Sequence, residues 1–149
     1  MKKLILTLTA ACLVSPLLAQ EKKLELTGND QMQFSTKTLE VTAGEKVTLN
    51  FKHIGVLQKA AMGHNVVILK AGTPIPPFAI KAMTAAATDY IPADDESKKL
   101  IVAHTKVLGG GESQSITFTA PAEAGDYPYL CTFPGHFAIM QGVLKVKAK

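Results

Sequence analysis

Short stretches in which apolar and polar residues alternate, each closed by a turn-forming cluster, constrain this chain more than any other feature. Leu24 and Leu26 alternate first, then Met32 and Phe34, Leu39 and Val41, and then Val47, Leu49 and Phe51. A two-residue period puts every second side chain on one face, the signature of a half-buried strand. Gly28-Asn29-Asp30 and Ala43-Gly44 break the early segments. Further strands are expected over His64 to Lys70, Lys99 to Leu108, Gln114 to Thr119, Tyr127 to Phe133 and Gly142 to Lys147. Gly109-Gly110-Gly111 and Ala124-Gly125-Asp126 read as corners. About eight short strands with tight turns predict an all-β fold, an antiparallel sandwich of two sheets.

One segment breaks the rhythm. Between Ala71 and Asp95 the chain carries Pro74, Pro76 and Pro77, which forbid a central strand, and then an Ala-rich run from Ala79 to Ala87. A flap containing a short helix, inserted between strands, is the expectation.

The chain opens with Met1-Lys2-Lys3, an apolar run from Leu4 to Leu18, and Ala19-Gln20. That order is the pattern of a secretory signal, so residues 1–19 are expected to be removed and the protein exported. Residues 20–149 then leave 130, enough for a single domain with its own core and too few for two of ordinary size. No later stretch approaches the roughly 20 apolar residues of a membrane span, so stable membrane insertion is not expected. Losing Lys2 and Lys3 takes the 16 basic residues to 14, all of them lysine, against 12 acidic ones. With no arginine and no basic run longer than a pair, the footprint of phosphate-backbone binding is missing, which excludes nucleic acid as a main partner.

Removing the signal also removes Cys12 and leaves Cys131 alone in an exported protein. A lone thiol in an oxidising compartment calls for an explanation, and metal ligation is one. From Cys131 the chain reads Cys-Thr-Phe-Pro-Gly-His-Phe-Ala-Ile-Met, so a thiolate, the His136 imidazole and the Met140 thioether fall within one short loop. Upstream, Met62-Gly63-His64-Asn65 sets a second imidazole at the start of another expected strand. A thiolate, two imidazoles and a weak thioether suit a trigonal copper site with a long axial bond. Zinc would take four strong donors, and magnesium or calcium would take oxygens. His53 and His104 read as structural histidines.

These residues carry a resemblance to the cupredoxins, the blue copper proteins, and within them to the azurins. The Cys-x4-His-x3-Met spacing of Cys131, His136 and Met140 is shared, as are Gly28-Asn29-Asp30-Gln31-Met32-Gln33-Phe34, Met62-Gly63-His64-Asn65 and Ala103-His104-Thr105-Lys106. The resemblance spans essentially all of residues 20–149 and implies a Greek-key, cupredoxin-like β-sandwich. It also implies one copper ion cycling between Cu(I) and Cu(II), held by His64, Cys131 and His136, with Met140 as axial ligand and the Gly63 carbonyl opposite. The backbone N–H groups of Asn65 and Phe133 would donate to the sulfur. Met32, Leu57 and Met62, with Pro134, Phe137, Ala138 and Ile139, would form an apolar docking patch around the His136 edge. The implied function is single-electron transfer in the periplasm, without enzyme activity, by a monomer. Its partners would be redox proteins such as c-type cytochromes or periplasmic reductases and oxidases. Copper storage or delivery is the alternative use of the same ligands. Two family features are absent: the early disulfide, and the core tryptophan, with Val67 at its aligned position and no Trp in the chain.

Overall fold

The computed structural model describes residues 21–149, so the expected signal at residues 1–19 lies outside the described residues. Eight strands, β1 (Lys22–Gly28), β2 (Thr38–Thr42), β3 (Lys46–His53), β4 (Val67–Leu69), β5 (Ile101–His104), β6 (Ser113–Thr119), β7 (Gly125–Leu130) and β8 (Gln141–Lys147), form two sheets. One sheet has the order β1-β3-β6 and the other β2-β8-β7-β4-β5. The sandwich is mixed where an antiparallel one was expected, because β1 pairs with β3, and β2 with β8, in parallel. The reason is that β2 lies in the opposite sheet, so the chain leaves β1, crosses over and returns in the same direction as β3. Such crossings between sheets are those of a Greek-key sandwich.

The alternation does its work between the sheets. Leu24, Leu26, Leu39, Val41, Val47, Leu49, Phe51, Ile68, Tyr129, Leu144 and Val146 form the central core, each at most 8% exposed. Two expected strand segments take other forms. Asn29 Oδ1 accepts the N–H groups of Gln31 and Gln33 at 3.0 and 3.1 Å, and Met32 sits at φ 55°. That side-chain turn competes with strand formation, leaving Phe34 a single bridge to Gly28. Within Lys99 to Leu108, the first two residues belong to a helix and the strand stops at His104.

The inserted segment holds more helix than expected. Helix α2 (Ile75–Met83) begins at its prolines, which cost nothing in a first turn where N–H groups have no helical acceptor. Helix α3 (Asp95–Leu100) is capped by Asp94, whose Oδ1 accepts the Ser97 N–H at 3.0 Å, with acids in its first turn and lysines in its last. The short helix preceding β4, over Lys59–Met62, is α1.

The insert is a packed cover and not a loose flap. Phe78, Ala79 and Ala82 of α2 bury Val67, Leu69 and Leu130 in a second core outside the five-stranded sheet. Strand β4 is thus sealed on both faces, its three residues all 0% exposed. Val67 faces the helix, whereas Val66 joins the inter-sheet core.

Candidate metal centre

Strands β7 and β8 pair antiparallel up to Leu130 and Gln141, so the segment between them is a hairpin connection. The Cys131 N–H donates to the Met140 carbonyl at 3.0 Å and closes it. Inside, Pro134-Gly135 forms a turn of the type that needs a left-handed third residue. Gly135 has φ 82°, and the His136 N–H donates to the Phe133 carbonyl at 3.0 Å. One further turn carries the Met140 N–H back to the His136 carbonyl at 2.8 Å. The ring of His136 is thereby brought over the thiol of Cys131.

His64 arrives from a separate part of the chain. It follows α1 and Gly63, and its backbone exchanges two hydrogen bonds with Leu108, at 3.0 and 2.8 Å. The Asn65 side chain then ties this segment to the hairpin: Nδ2 donates to Thr132 Oγ1 at 2.7 Å and Oδ1 accepts the Thr132 N–H at 2.8 Å. Both residues are 0% exposed, so these bonds act without competition from water.

The donors converge. His64 Nδ1 lies 3.1 Å from His136 Nδ1, and Cys131 Sγ lies 3.9 and 3.6 Å from those two nitrogens. An ion bonded at about 2.0 Å to nitrogen and about 2.3 Å to sulfur in a trigonal plane would hold such pairs about 3.5 and about 3.7 Å apart. The Gly63 carbonyl oxygen is 3.9 Å from Sγ. Met140 is fully buried, and its terminal methyl and the Cδ2 of His64 both lie within 3.1 Å of one point above Gly28. The donor chemistry, two imidazoles and a thiol with a thioether beside them, fits a type 1 copper ion.

Each donor is held in a definite state. The Nε2 of His64 lies 2.8 Å from the Asn29 carbonyl, which fixes the proton on Nε2 and leaves the Nδ1 lone pair facing inward. Burial holds the His64 pKa below its ordinary value, partly offset by that same bond, and depresses that of His136 to about 4. Burial also pushes the Cys131 thiol up to about 12, against which the N–H groups of Asn65 and Phe133 pull.

The rim residues divide. Leu57 and Ile139 are exposed, 42% and 54%, Pro134 and Ala138 are exposed on the same hairpin connection as Ile139, and Met32 and Met62 are half-buried. Phe137 is half-buried as well and packs in part against the cluster under α2. His136 itself is 4% exposed.

Four residues outside the expected donor set and patch also contribute. His53 stacks on His64 with ring centres 4.3 Å apart, its Nδ1 accepting the Gly55 N–H at 3.0 Å and its Nε2 2.8 Å from the Met62 carbonyl. Asn29 acts through its backbone, which no side-chain pattern announces. Ile54 and Val56, 54% and 87% exposed, extend the apolar loop that carries Leu57, and their run directly after β3 was the available signal. His104 is exposed, its Nδ1 near the Thr105 carbonyl, as a structural histidine would be.

Comparison with known proteins bears on the same residues. Residues 20–147 match the family model of copper-binding proteins of the plastocyanin/azurin type. The azurin of Bordetella pertussis is 45% identical over 145 residues, covering 91% of each chain. That of Alcaligenes faecalis is 43% identical over 122 residues, 80% of this chain and 93% of that one. Among solved structures, auracyanin A, a "blue" copper protein of Chloroflexus aurantiacus, superposes with a TM-score of 0.76 at 36% identity, covering 86% of this chain and 100% of the other. With a family model matched over residues 20–147 and a relative 45% identical over most of both chains, this chain belongs to the plastocyanin/azurin family of copper-binding proteins.

Proposed function

We propose that this chain is an exported type 1 copper protein that carries single electrons between redox partners. His64, Cys131 and His136 would hold copper as the strong donors, with the Met140 thioether as a weak donor and the Gly63 carbonyl beside them. The observation that carries this reading is the convergence of two imidazole nitrogens and one sulfur at 3.1 to 3.9 Å, in a pocket where none of the three residues is more than 4% exposed. Copper bound there would supply a one-electron couple.

The chain's own part is orientation. Asn29 holds the His64 ring, the hairpin closure holds Cys131 and Met140, and the N–H groups of Asn65 and Phe133 stabilise negative charge on the sulfur. Donors locked this way rearrange little when the charge at their centre changes, which favours fast transfer. Their burial leaves no approach for a substrate to an open coordination position, which supports a carrier and not an enzyme. The same burial opposes copper storage or delivery, which calls for exchangeable, accessible ligands.

Electrons enter at the solvent-facing edge of His136. The surrounding Pro134, Ala138, Ile139, Leu57, Met32 and Met62 suit brief docking to c-type cytochromes or periplasmic reductases and oxidases, since small, weakly charged interfaces release quickly. The reading includes a signal at residues 1–19, a single domain at 20–149, a monomer, and the periplasm as its compartment, supported by the charge and hydropathy pattern of the N-terminus.

The test is to add Cu(II) to the purified mature protein and record visible and electron paramagnetic resonance spectra. An intense blue thiolate band with a narrow hyperfine pattern is expected, and Cys131→Ser should be colourless. A colourless wild type, or a Cys131→Ser variant that keeps the band, would overturn the proposal.

A further inference from the structure

Gly28 is not required by its own backbone. It closes β1, pairs with His53 of β3, and its carbonyl accepts the Ile54 N–H at 2.8 Å. The glycines with left-handed φ are Gly44, Gly72, Gly111 and Gly135, so at position 28 the main chain would accept any strand residue. What excludes a side chain is the space above it. A Cβ built there would lie 2.9 Å from the Met140 Cε, 3.1 Å from the His64 Cδ2 and 3.3 Å from the Phe51 Cζ.

We propose that Gly28 is a positioning residue for the axial donor: its missing side chain is the room into which the Met140 methyl folds, and this fixes where the thioether stands relative to His64. The inference rests on reading Met140 and His64 as ligands. Of the three neighbours, two cannot yield. His64 is clamped between its bond to Asn29 and the ring of His53, and Phe51 is locked in the central core. The methionine, with its three rotatable bonds, is the one that moves. A weak thioether donor would respond to such a displacement more than His64, Cys131 and His136 would, and a weak donor of this kind is one of the controls on the potential of such sites.

Gly28→Ala, Met140→Ala and the double variant, made in the full mature protein, test this. In the copper-free protein, methyl-labelled methionine should show a changed Met140 methyl resonance and weakened contacts to the Phe51 and His64 rings in Gly28→Ala. With copper, Gly28→Ala should remain blue but alter the Cu(II)-to-Cu(I) affinity ratio by about threefold or more, read from the midpoint potential. In the Met140→Ala background, Gly28→Ala should change nothing further. Should Gly28→Ala fail to fold, rescue by Met140→Ala supports the proposal, and failure of the double variant assigns the obstruction to His64 or Phe51 and overturns it. An unchanged methyl resonance together with an unchanged potential also overturns it. A colourless wild type would instead defeat the copper reading, which the methyl spectrum of the copper-free protein distinguishes.

Discussion

At the scale of single residues, burial sets the protonation of the site before any metal arrives. His136 is held to about 4 by desolvation first and by the nearby His64 and His53 rings second, and His64 is displaced the same way. In the unfolded chain both rings return to an ordinary value of about 6.5. Below that pH the unfolded chain binds protons that the folded one refuses, so stability falls as pH falls. The copper-free protein should therefore lose stability progressively between about pH 6.5 and about pH 4, measured as a falling urea midpoint. His136→Phe should flatten this slope. A slope unaltered by the substitution would assign the effect to other groups.

At the scale of elements, the helical insert does two jobs at one location. It seals the outer face of β4, and the turn at Asp89 and Tyr90, between α2 and α3, reaches the site. The Asp89 carbonyl accepts from the Asn65 side chain at 3.3 Å, and the Tyr90 ring stands edge-on to Phe133 at 5.2 Å. Phe78→Ala should thus destabilise the protein by about 3 to 5 kcal/mol, seen as a lower urea midpoint at constant slope. The Cys-x4-His-x3-Met donors were legible in the sequence because one hairpin turn contains them, and local spacing survives folding. His64 was legible by its motif. Its support by the Asn29 carbonyl was not, since Asn29 follows β1 and reaches His64 only because β1 pairs in parallel with β3, which alternation along one strand does not encode. The start of α2 was obscured for another reason: three prolines that veto a strand also serve as the first turn of a helix.

At the scale of the whole molecule, the two ligand-bearing segments are tied to each other by the paired hydrogen bonds of Asn65 and Thr132. Copper should then add stability by mass action, raising the Tm with rising copper concentration. At pH 7 the donors of that pocket are two neutral imidazoles and a protonated thiol, the latter pushed up to about 12. Loading should release about one proton per ion, obtained from calorimetry in two buffers of different ionisation enthalpy. Release near zero would exclude the thiolate as a ligand.

The direction of β1 has a practical consequence. That strand runs from Lys22 to Gly28 at the site, and β8 leaves the site at Gln141 to finish at Lys147. Seven extended residues each way put Lys22 and Lys147 about 20 Å from the donors, at the opposite end of the sandwich. A linker fixed to an electrode or a carrier protein at Lys22 or Lys147 would present the donor end outward, wired by its back and free at its front.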